Sequence, residues 1–151
     1  LLLYAGQKDS PEVFDRVFNL AKEYGLSDQI KHLGTLSRPE IIQYSQHAAA
    51  CLSFYANCNL GNVFIEYLAS GGAIISLDDG SLDDIIQNGE NGFLVNSMEE
   101  AAEIAHRLLT DSQEWQRVKD RALETAFSKF QTWDKRIDDE IRLLSRYAGQ
   151  K

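Results

Sequence analysis

A chain of 151 residues that is 44% hydrophobic and carries a formal net charge of −8 can bury one core of ordinary domain size. The acid excess argues against a nucleic-acid or anionic-membrane surface in this segment. It leaves room for a nucleotide, whose phosphates can be held locally by backbone amides and a single basic side chain.

Cys51 and Cys58, the two cysteines, fit neither zinc-ligand spacing nor a redox pair, which points to a reducing, cytoplasmic compartment. Leu1-Leu2-Leu3 is too short for a signal peptide, and no run is long enough to span a bilayer. The chain begins without Met inside an apolar run, as though cut from something longer, so missing signals say little about the true N-terminus.

In chain order, Leu1 to Ala5 reads as a buried strand ending at Gly6. Ser10-Pro11-Glu12 opens a helix with a capping hydroxyl, a first-turn proline and an acid near the positive end. Val13, Phe14, Val17, Leu20, Ala21 and Tyr24 form its apolar stripe, and Gly25 closes it. Gln29 to Leu33 is a short strand closing on Gly34. Ser37-Arg38-Pro39-Glu40 is a capping box for a short helix through Tyr44.

The stretch from Ala48 to Ile75 organises the rest. An apolar run to Phe54 predicts a buried parallel strand, Tyr55 to Asn59 a loop, and Leu60, Val63, Phe64, Tyr67 and Leu68 a helix at three- and four-residue spacing. Gly71-Gly72 ends that helix before a strand from Ala73 to Leu77. Asp78-Asp79-Gly80 is an acidic turn, and Ser81 is expected to cap a short helix containing Ile85 and Ile86. The turn dipeptides Asn88-Gly89 and Asn91-Gly92 introduce the strand Phe93 to Val95. Ser97 to Glu100 is a second capping box, for a helix with Ala101, Ile104, Ala105, Leu108 and Leu109 inward. Trp115, Val118, Ala122, Ala126 and Phe130 mark the next helix, and Thr132 begins a last one with Ile137, Ile141 and Leu144.

Strands alternating with helices through short loops predict an α/β domain: a doubly wound parallel sheet with helices on both faces. Ligands of such sheets sit beyond the carboxyl ends of the strands. The loops at Gly6, Gly34 to Ser37, Asn57 to Asn62, Asp78 to Ser81 and the Asn88 turn are expected at or near that edge. Gly61 lets a ligand approach the backbone closely, and the helix start after it offers amides and a positive dipole end to a phosphate. Glu66, four residues after Asn62 and on the same face, can accept two hydrogen bonds from a vicinal diol such as a ribose. Taken alone, the same residues also fit a glycine-terminated turn before a surface helix.

His32, His47 and His106 share no ligand spacing, and ordinary structural roles are expected. The acids Asp78, Asp79, Asp83 and Asp84 are read as charge compensation at a helix start, with no metal expected. Trp115 and Trp133 are read as helix-packing residues.

The order and spacing of Gly34 with its following helix, GNVFIEYLASGGAII, DDGSLDDII and NGENGFLV resembles the C-terminal, nucleotide-sugar-binding half of GT-B glycosyltransferases of the large retaining family four. The resemblance runs from about Leu1 into the terminal helices. It implies a Rossmann-like domain over residues 1–131, partial because the first strand and helix are missing. Residues 132–151 would form a C-terminal helix packing on that domain or on an absent N-terminal one.

The resemblance further implies an NDP-sugar donor, UDP- or GDP-linked, with no other cofactor and no metal. Gly61, Asn62 and Val63 match the family's loop and helix start facing phosphates and sugar. Glu66 matches the second glutamate of its Glu-x7-Glu pattern, which holds the ribose. Gly34, Thr35 and Leu36 match the loop near the base, and Gly6 the glycine after the domain's second strand.

Three departures stand out. Cys58 occupies the position of the first glutamate, and a neutral thiol cannot accept the same hydrogen bonds or stabilise positive charge on a sugar ring. Gly80-Ser81 stands for two glycines and Asp84 for a glutamate. The strand, helix and acceptor-binding domain that precede this run in family members are missing, the strand being central between those at Leu1 and Ala48.

The expected function is therefore the donor half of a retaining hexosyltransferase acting on an unknown glycan, lipid or protein acceptor, with the segment alone inactive. A non-catalytic subunit or relative that keeps the fold is the alternative favoured by Cys58. A GT-B isomerase or an unrelated doubly wound module is the third. Peripheral attachment to the inner face of a membrane through the missing N-terminal domain is left open.

Overall fold

The computed structural model describes residues 1–7, 10–55 and 61–148. They divide into two compact units, Leu1–Ile41 and Ile42–Lys151.

The first unit holds β1 (Leu2–Ala5), α1 (Pro11–Glu23), a single 3-10 turn at Ser27–Gln29 and β2 (Ile30–Gly34). The strands pair in parallel, with Tyr4 opposite His32 and Ala5 opposite Gly34. Pro11 and Glu12 start α1 as expected, but the Ser10 hydroxyl makes no capping bond. The stop is the expected one: Gly25 turns left-handed at φ +68°, so that its N–H and that of Leu26 reach the Lys22 and Ala21 carbonyls.

Phe14 and Phe18 stack at 4.4 Å, and Phe14 meets the His32 ring edge-on at 4.8 Å. The inner side of α1 is thus Phe14, Phe18 and Ala21, while Val13, Val17, Leu20 and Tyr24 of the expected stripe are exposed. All four residues of β1 are exposed as well, against the expectation of a buried strand. Two strands and one helix do not cover both faces of an apolar strand.

Helix α2 (Arg38–His47) runs across the boundary between units and is a turn longer than its apolar pattern suggested. Its capping box is half made, because Glu40 accepts both the N–H and the hydroxyl of Ser37. In the second unit, β3 (Cys51–Ser53), α3 (Asn62–Ala69), β4 (Ile74–Leu77), β5 (Phe93–Val95), α4 (Met98–Thr110), α5 (Ser112–Lys129) and α6 (Trp133–Ala148) follow. The strands pair β3-β4-β5, all parallel, with Ser53 opposite Ser76 and Leu77 opposite Val95.

Alternation along these strands splits the core in two. Cys51, Ile74 and Leu94 meet Phe64 and Leu68 of α3 and Ala122 and Ala126 of α5. Ala73, Ile75, Phe93 and Val95 turn the other way, onto Ala101, Ile104 and Leu108 of α4 and Val118 of α5. The expected α/β class, parallel strands flanked by helices on both faces, is therefore observed, with its described strands in one two-stranded and one three-stranded sheet. α5 contributes to both halves of the core.

Helix α6 buries none of its residues: Trp133, Ile137, Ile141 and Leu144 are exposed. Trp133 carries the Arg136 guanidinium over its ring at 5.5 Å instead of packing into a core. No helix among the described residues is long and apolar enough to cross a membrane.

The helix expected after Ser81 is a single turn, in which Ile85 and Ile86 donate to the Leu82 carbonyl. Two side chains stop it from growing. Asp79 Oδ1 takes both the N–H and the hydroxyl of Ser81, and the Asn91 amide closes the far end by accepting from Gln87 N–H and donating to the Ile85 carbonyl.

Candidate functional site

Parallel order fixes which segments share an edge. The chain leaves β3 at Ser53, enters α3 at Asn62 and returns in the neighbouring parallel strand β4, so the amino end of α3 faces the carboxyl edge of the three-stranded sheet. Asp78 to Ser81 leave β4 at that same edge. The Asn88 turn does not: it leads into β5 and so lies at that strand's amino end, against the expectation that it falls at or near the carboxyl edge. Its backbone bridges Asn88 to Gly92, and the Asn88 side chain exchanges two hydrogen bonds with the backbone of Leu94.

Gly61 is the residue that opens α3, in extended backbone at φ −75° and ψ 163°, with no side chain to cap the first amides. Asn62 and Val63 are exposed and Glu66 is half-buried. Helical spacing sets Glu66 one turn behind Asn62 on one face, so the carboxylate stands behind a helix start that points at the sheet's rim. Phe64 and Leu68 bury the opposite face of α3, which orients it.

The far end of α3 is fixed too. Ser70 Oγ donates to the Glu66 and Tyr67 carbonyls at 2.7 and 3.1 Å, and a β-carbon on Gly71 would stand 3.0 Å from the Leu123 side chain of α5. Tyr67 lies beside this face. Burial, and then the neighbouring Cys51, Tyr55 and Glu66, push its phenol up to about 12, so it is a neutral hydroxyl at physiological pH.

Of the remaining predicted residues, Gly80 adopts φ +75° and donates its N–H to Asp78 Oδ1 at 3.0 Å. Ser81 is tied to Asp79, and the Asp84 carbonyl accepts from Lys129 Nζ at 2.9 Å. Asp78 and Asp79 act as turn acceptors, and only a single turn rather than a helix follows them. Among the described residues, no group of three His, Cys, Asp or Glu side chains is arranged to hold a metal.

In the first unit, Gly6 and Gly34 come together at the carboxyl ends of β1 and β2. Gly6 N–H donates to the Gly34 carbonyl at 2.9 Å, His32 Nε2 lies 2.9 Å from the Gly6 carbonyl, and both glycines have positive φ. Thr35 and Leu36 follow in the turn to α2. Cys58, at the position of the family's first glutamate, lies outside the described residues.

Sequence reasoning missed the buried polar groups that brace this arrangement. Asn91 reads as half of a turn dipeptide, yet it is 3% exposed, and besides closing the turn it donates to Thr125 Oγ1 at 2.7 Å. Lys119 is 8% exposed and its ammonium donates to the Gln46 carbonyl. Neither has a local pattern to betray it. Two open recesses, of about 440 and 350 Å³, flank the Asn88–Gly92 turn and are lined by none of Gly61 to Glu66.

Comparison with known proteins gives this geometry its context. The family model for "Glycosyl transferases group 1" matches residues 1–125. A GDP-Man:Man(3)GlcNAc(2)-PP-Dol alpha-1,2-mannosyltransferase of Dictyostelium discoideum is 23% identical over 128 residues, 83% of this chain and 25% of that protein. A sucrose synthase of Thermosynechococcus vestitus is 28% identical over 88% of this chain and 19% of its own length. The chain thus spans about a quarter or less of these relatives.

Among solved structures, a glycosyltransferase from Rickettsia africae superposes with a TM-score of 0.82 at 19% identity, over 99% of this chain and 40% of that one. Anabaena HepE, solved in complex with UDP, gives 0.75 at 21% identity over 93% and 40%. At such identities these structures establish the shared GT-B fold. With a family match that covers most of its length, the chain belongs to the glycosyl transferases group 1 family.

Proposed function

We propose that the full-length protein transfers a hexose from a UDP- or GDP-sugar, with retention of configuration, to a glycan, lipid or protein acceptor, and that this segment binds the donor. The amides of Gly61, Asn62 and Val63 receive the diphosphate, where the helix dipole and close backbone approach favour an anion. Glu66 accepts from the ribose hydroxyls. Gly34, Thr35 and Leu36 form the loop near the base, with Gly6 beside Gly34, and Gly80, Ser81 and Asp84 shape the rim beyond β4. No metal or other cofactor is required. An acceptor-binding N-terminal domain completes the enzyme, and the segment alone is inactive.

The observation that carries this reading is the position of Glu66, half-buried one turn behind a glycine-opened helix start at the sheet's carboxyl edge. The UDP and UDP-glucose held by Anabaena HepE lend support for the donor class. Cys58 favours a second reading, a non-catalytic relative that keeps the nucleotide cleft or only the fold.

Calorimetric titration of the full-length protein with UDP, GDP and ADP, with Glu66→Ala alongside, separates these. Saturable heat with one uridine or guanosine diphosphate, weakened in Glu66→Ala, is expected; no heat with any of the three refutes the donor site. Sugar transfer or release supports the enzyme, and binding without it selects the non-catalytic reading. Cys58→Glu tests the remaining departure: a gain in turnover is expected if the thiol is what limits it.

A further inference from the structure

The least explained polar cluster of the second unit lies at the other end of β3. The last-turn carbonyls of a helix have no partner within it; at the end of α2 those of Ser45 and Gln46, and that of Ala48 just past the helix, are met by the side chains of Cys51, Lys119 and Trp115. Lys119 donates to the Gln46 carbonyl. The Trp115 indole N–H donates to the Ala48 carbonyl at 3.1 Å. The buried Cys51 thiol points at the Ser45 carbonyl at 3.9 Å.

The ammonium also sits 4.0 Å from the centre of the Trp115 ring, so a cation and a ring fill one place at the negative end of α2. Burying a lysine is unfavourable without such partners, and burial does lower the readiness of this one to hold its proton. A neutral residue of similar length would fill the space without that cost. What the charge adds is direction: an ammonium held between a ring and a carbonyl fixes the backbone it donates to.

That backbone leads into β3, at whose carboxyl end the proposed site lies. Ala48 is three residues before β3, and β3 is itself only three residues long, so the strand spans about 10 Å. A strand this short has little register of its own. Its entry is set by the Cys51 N–H bond to the Ala73 carbonyl at 2.7 Å and by whatever holds Gln46 and Ala48. α5 reaches both ends of the path, since Leu123, one turn past Lys119, lies against Gly71 where α3 ends.

We infer that Lys119 is a positioning residue for the donor site: by capping α2 against α5 it fixes where β3 enters the sheet, and through β3 where the Gly61–Glu66 segment stands. The inference rests on the donor-binding reading above, and its test is built to fail separately from it.

In the full-length protein, Lys119→Met keeps the length and removes the donor, Lys119→Arg keeps a charged donor, and Trp115→Phe keeps the ring while removing the bond to Ala48. Leu108→Ala, a core truncation on α4, serves as a control for lost stability alone. Affinity for the nucleoside diphosphate that the wild type binds is measured well below every melting midpoint, so that loss of folded protein cannot account for a change.

The expected result is affinity weakened on the order of tenfold in Lys119→Met, the scale of one charge-assisted hydrogen bond, with Trp115→Phe in the same direction, partial recovery in Lys119→Arg and none of this in Leu108→Ala. Amide exchange should quicken at residues 48–54 in Lys119→Met. Wild-type affinity in both Lys119→Met and Trp115→Phe overturns the inference while leaving the donor site standing, as does an equal loss in Leu108→Ala. A wild type that binds no nucleotide removes the donor site and this inference together.

Discussion

Gly72 lies so close under Cys51 that a β-carbon on it would stand 2.8 Å from Sγ and 3.1 Å from the Tyr67 carbonyl. Its backbone is not left-handed, so space alone requires glycine here. The contact ties the turn that ends α3 to the first residue of β3, and Gly72 N–H adds a 2.7 Å bond to that same Tyr67 carbonyl.

Gly72→Ala should therefore destabilise the protein by about 1–3 kcal/mol, the usual cost of overpacking a filled core. Cys51→Ala in the same chain should restore only part of that, because it removes the sulfur and leaves the carbonyl in the way. Denaturant midpoints of the two single variants and the double variant give the coupling directly. Additive losses would mean the two residues do not press on each other.

The same cysteine predicts how stability depends on alkaline pH. Burial pushes the Cys51 thiol from its ordinary 9.0 up to about 11, and Tyr67 from 10.0 to about 12. Both pKa values are raised on folding, so between the unfolded and folded values the native state holds the proton that the unfolded state has lost. Their contribution is fully present below pH 9 and is lost as pH rises toward 12. At about 1.4 kcal/mol per pKa unit, Cys51 accounts for roughly 2–3 kcal/mol, and the half-buried Tyr67 for less because water screens it. Melting midpoints measured from pH 8 to pH 11.5 should fall, and Cys51→Ala should fall less steeply over the lower part of that range. An identical slope would show that the thiol does not titrate with unfolding.

Much of this architecture was legible in the sequence because short-range patterns carry it. Ile74 and Ile75 belong to an unbroken apolar run and face opposite halves of the core, which is the signature of a strand buried on both faces. Gly61 falls just before α3 and Glu66 within it, as the loop-then-helix pattern predicts. What was misread depends on groups distant in sequence. Ser81 resembles a helix cap, but Asp79 and Asn91 hold the segment to one turn. Val13 and Val17 resemble a core stripe, yet the stacking of Phe14 on Phe18 turns them outward. Lys119 sits in a polar run of α5 and finds its place through the carbonyl of Gln46, seventy-three residues earlier, and the ring of Trp115.

Asn91 offers a sharper test of such long-range polar bracing. Its carboxamide accepts from Gln87 N–H and donates to the Ile85 carbonyl and Thr125 Oγ1, at 2.8, 2.8 and 2.7 Å. Asn91→Ala leaves those partners short of bonds and should cost about 2–4 kcal/mol, two or three buried hydrogen bonds' worth. Asn91→Asp keeps the acceptor but turns the donor into a second acceptor facing a carbonyl, so it should be no better despite its shape. Thr125→Val, which removes one partner, should cost about 1 kcal/mol. Thermal midpoints rank the three, and an Asn91→Asp variant as stable as wild type would mean the amide nitrogen is not bonded as described.

The role proposed for Glu66 can be isolated by changing the ligand along with the protein. If its carboxylate accepts from the ribose hydroxyls, a nucleoside diphosphate lacking the 2′-hydroxyl should bind the wild type more weakly, by roughly tenfold or more for one hydrogen bond to a charged group. That preference should vanish in Glu66→Ala, which has nothing to accept either hydroxyl. In Glu66→Gln, which keeps one acceptor oxygen without the charge, an intermediate preference is expected. Because each comparison is made within one variant, a general loosening of α3 would lower both affinities together and leave their ratio unchanged. Should the ratio be the same in all three proteins, Glu66 acts on the helix rather than on the sugar, and the ribose must be held from another element.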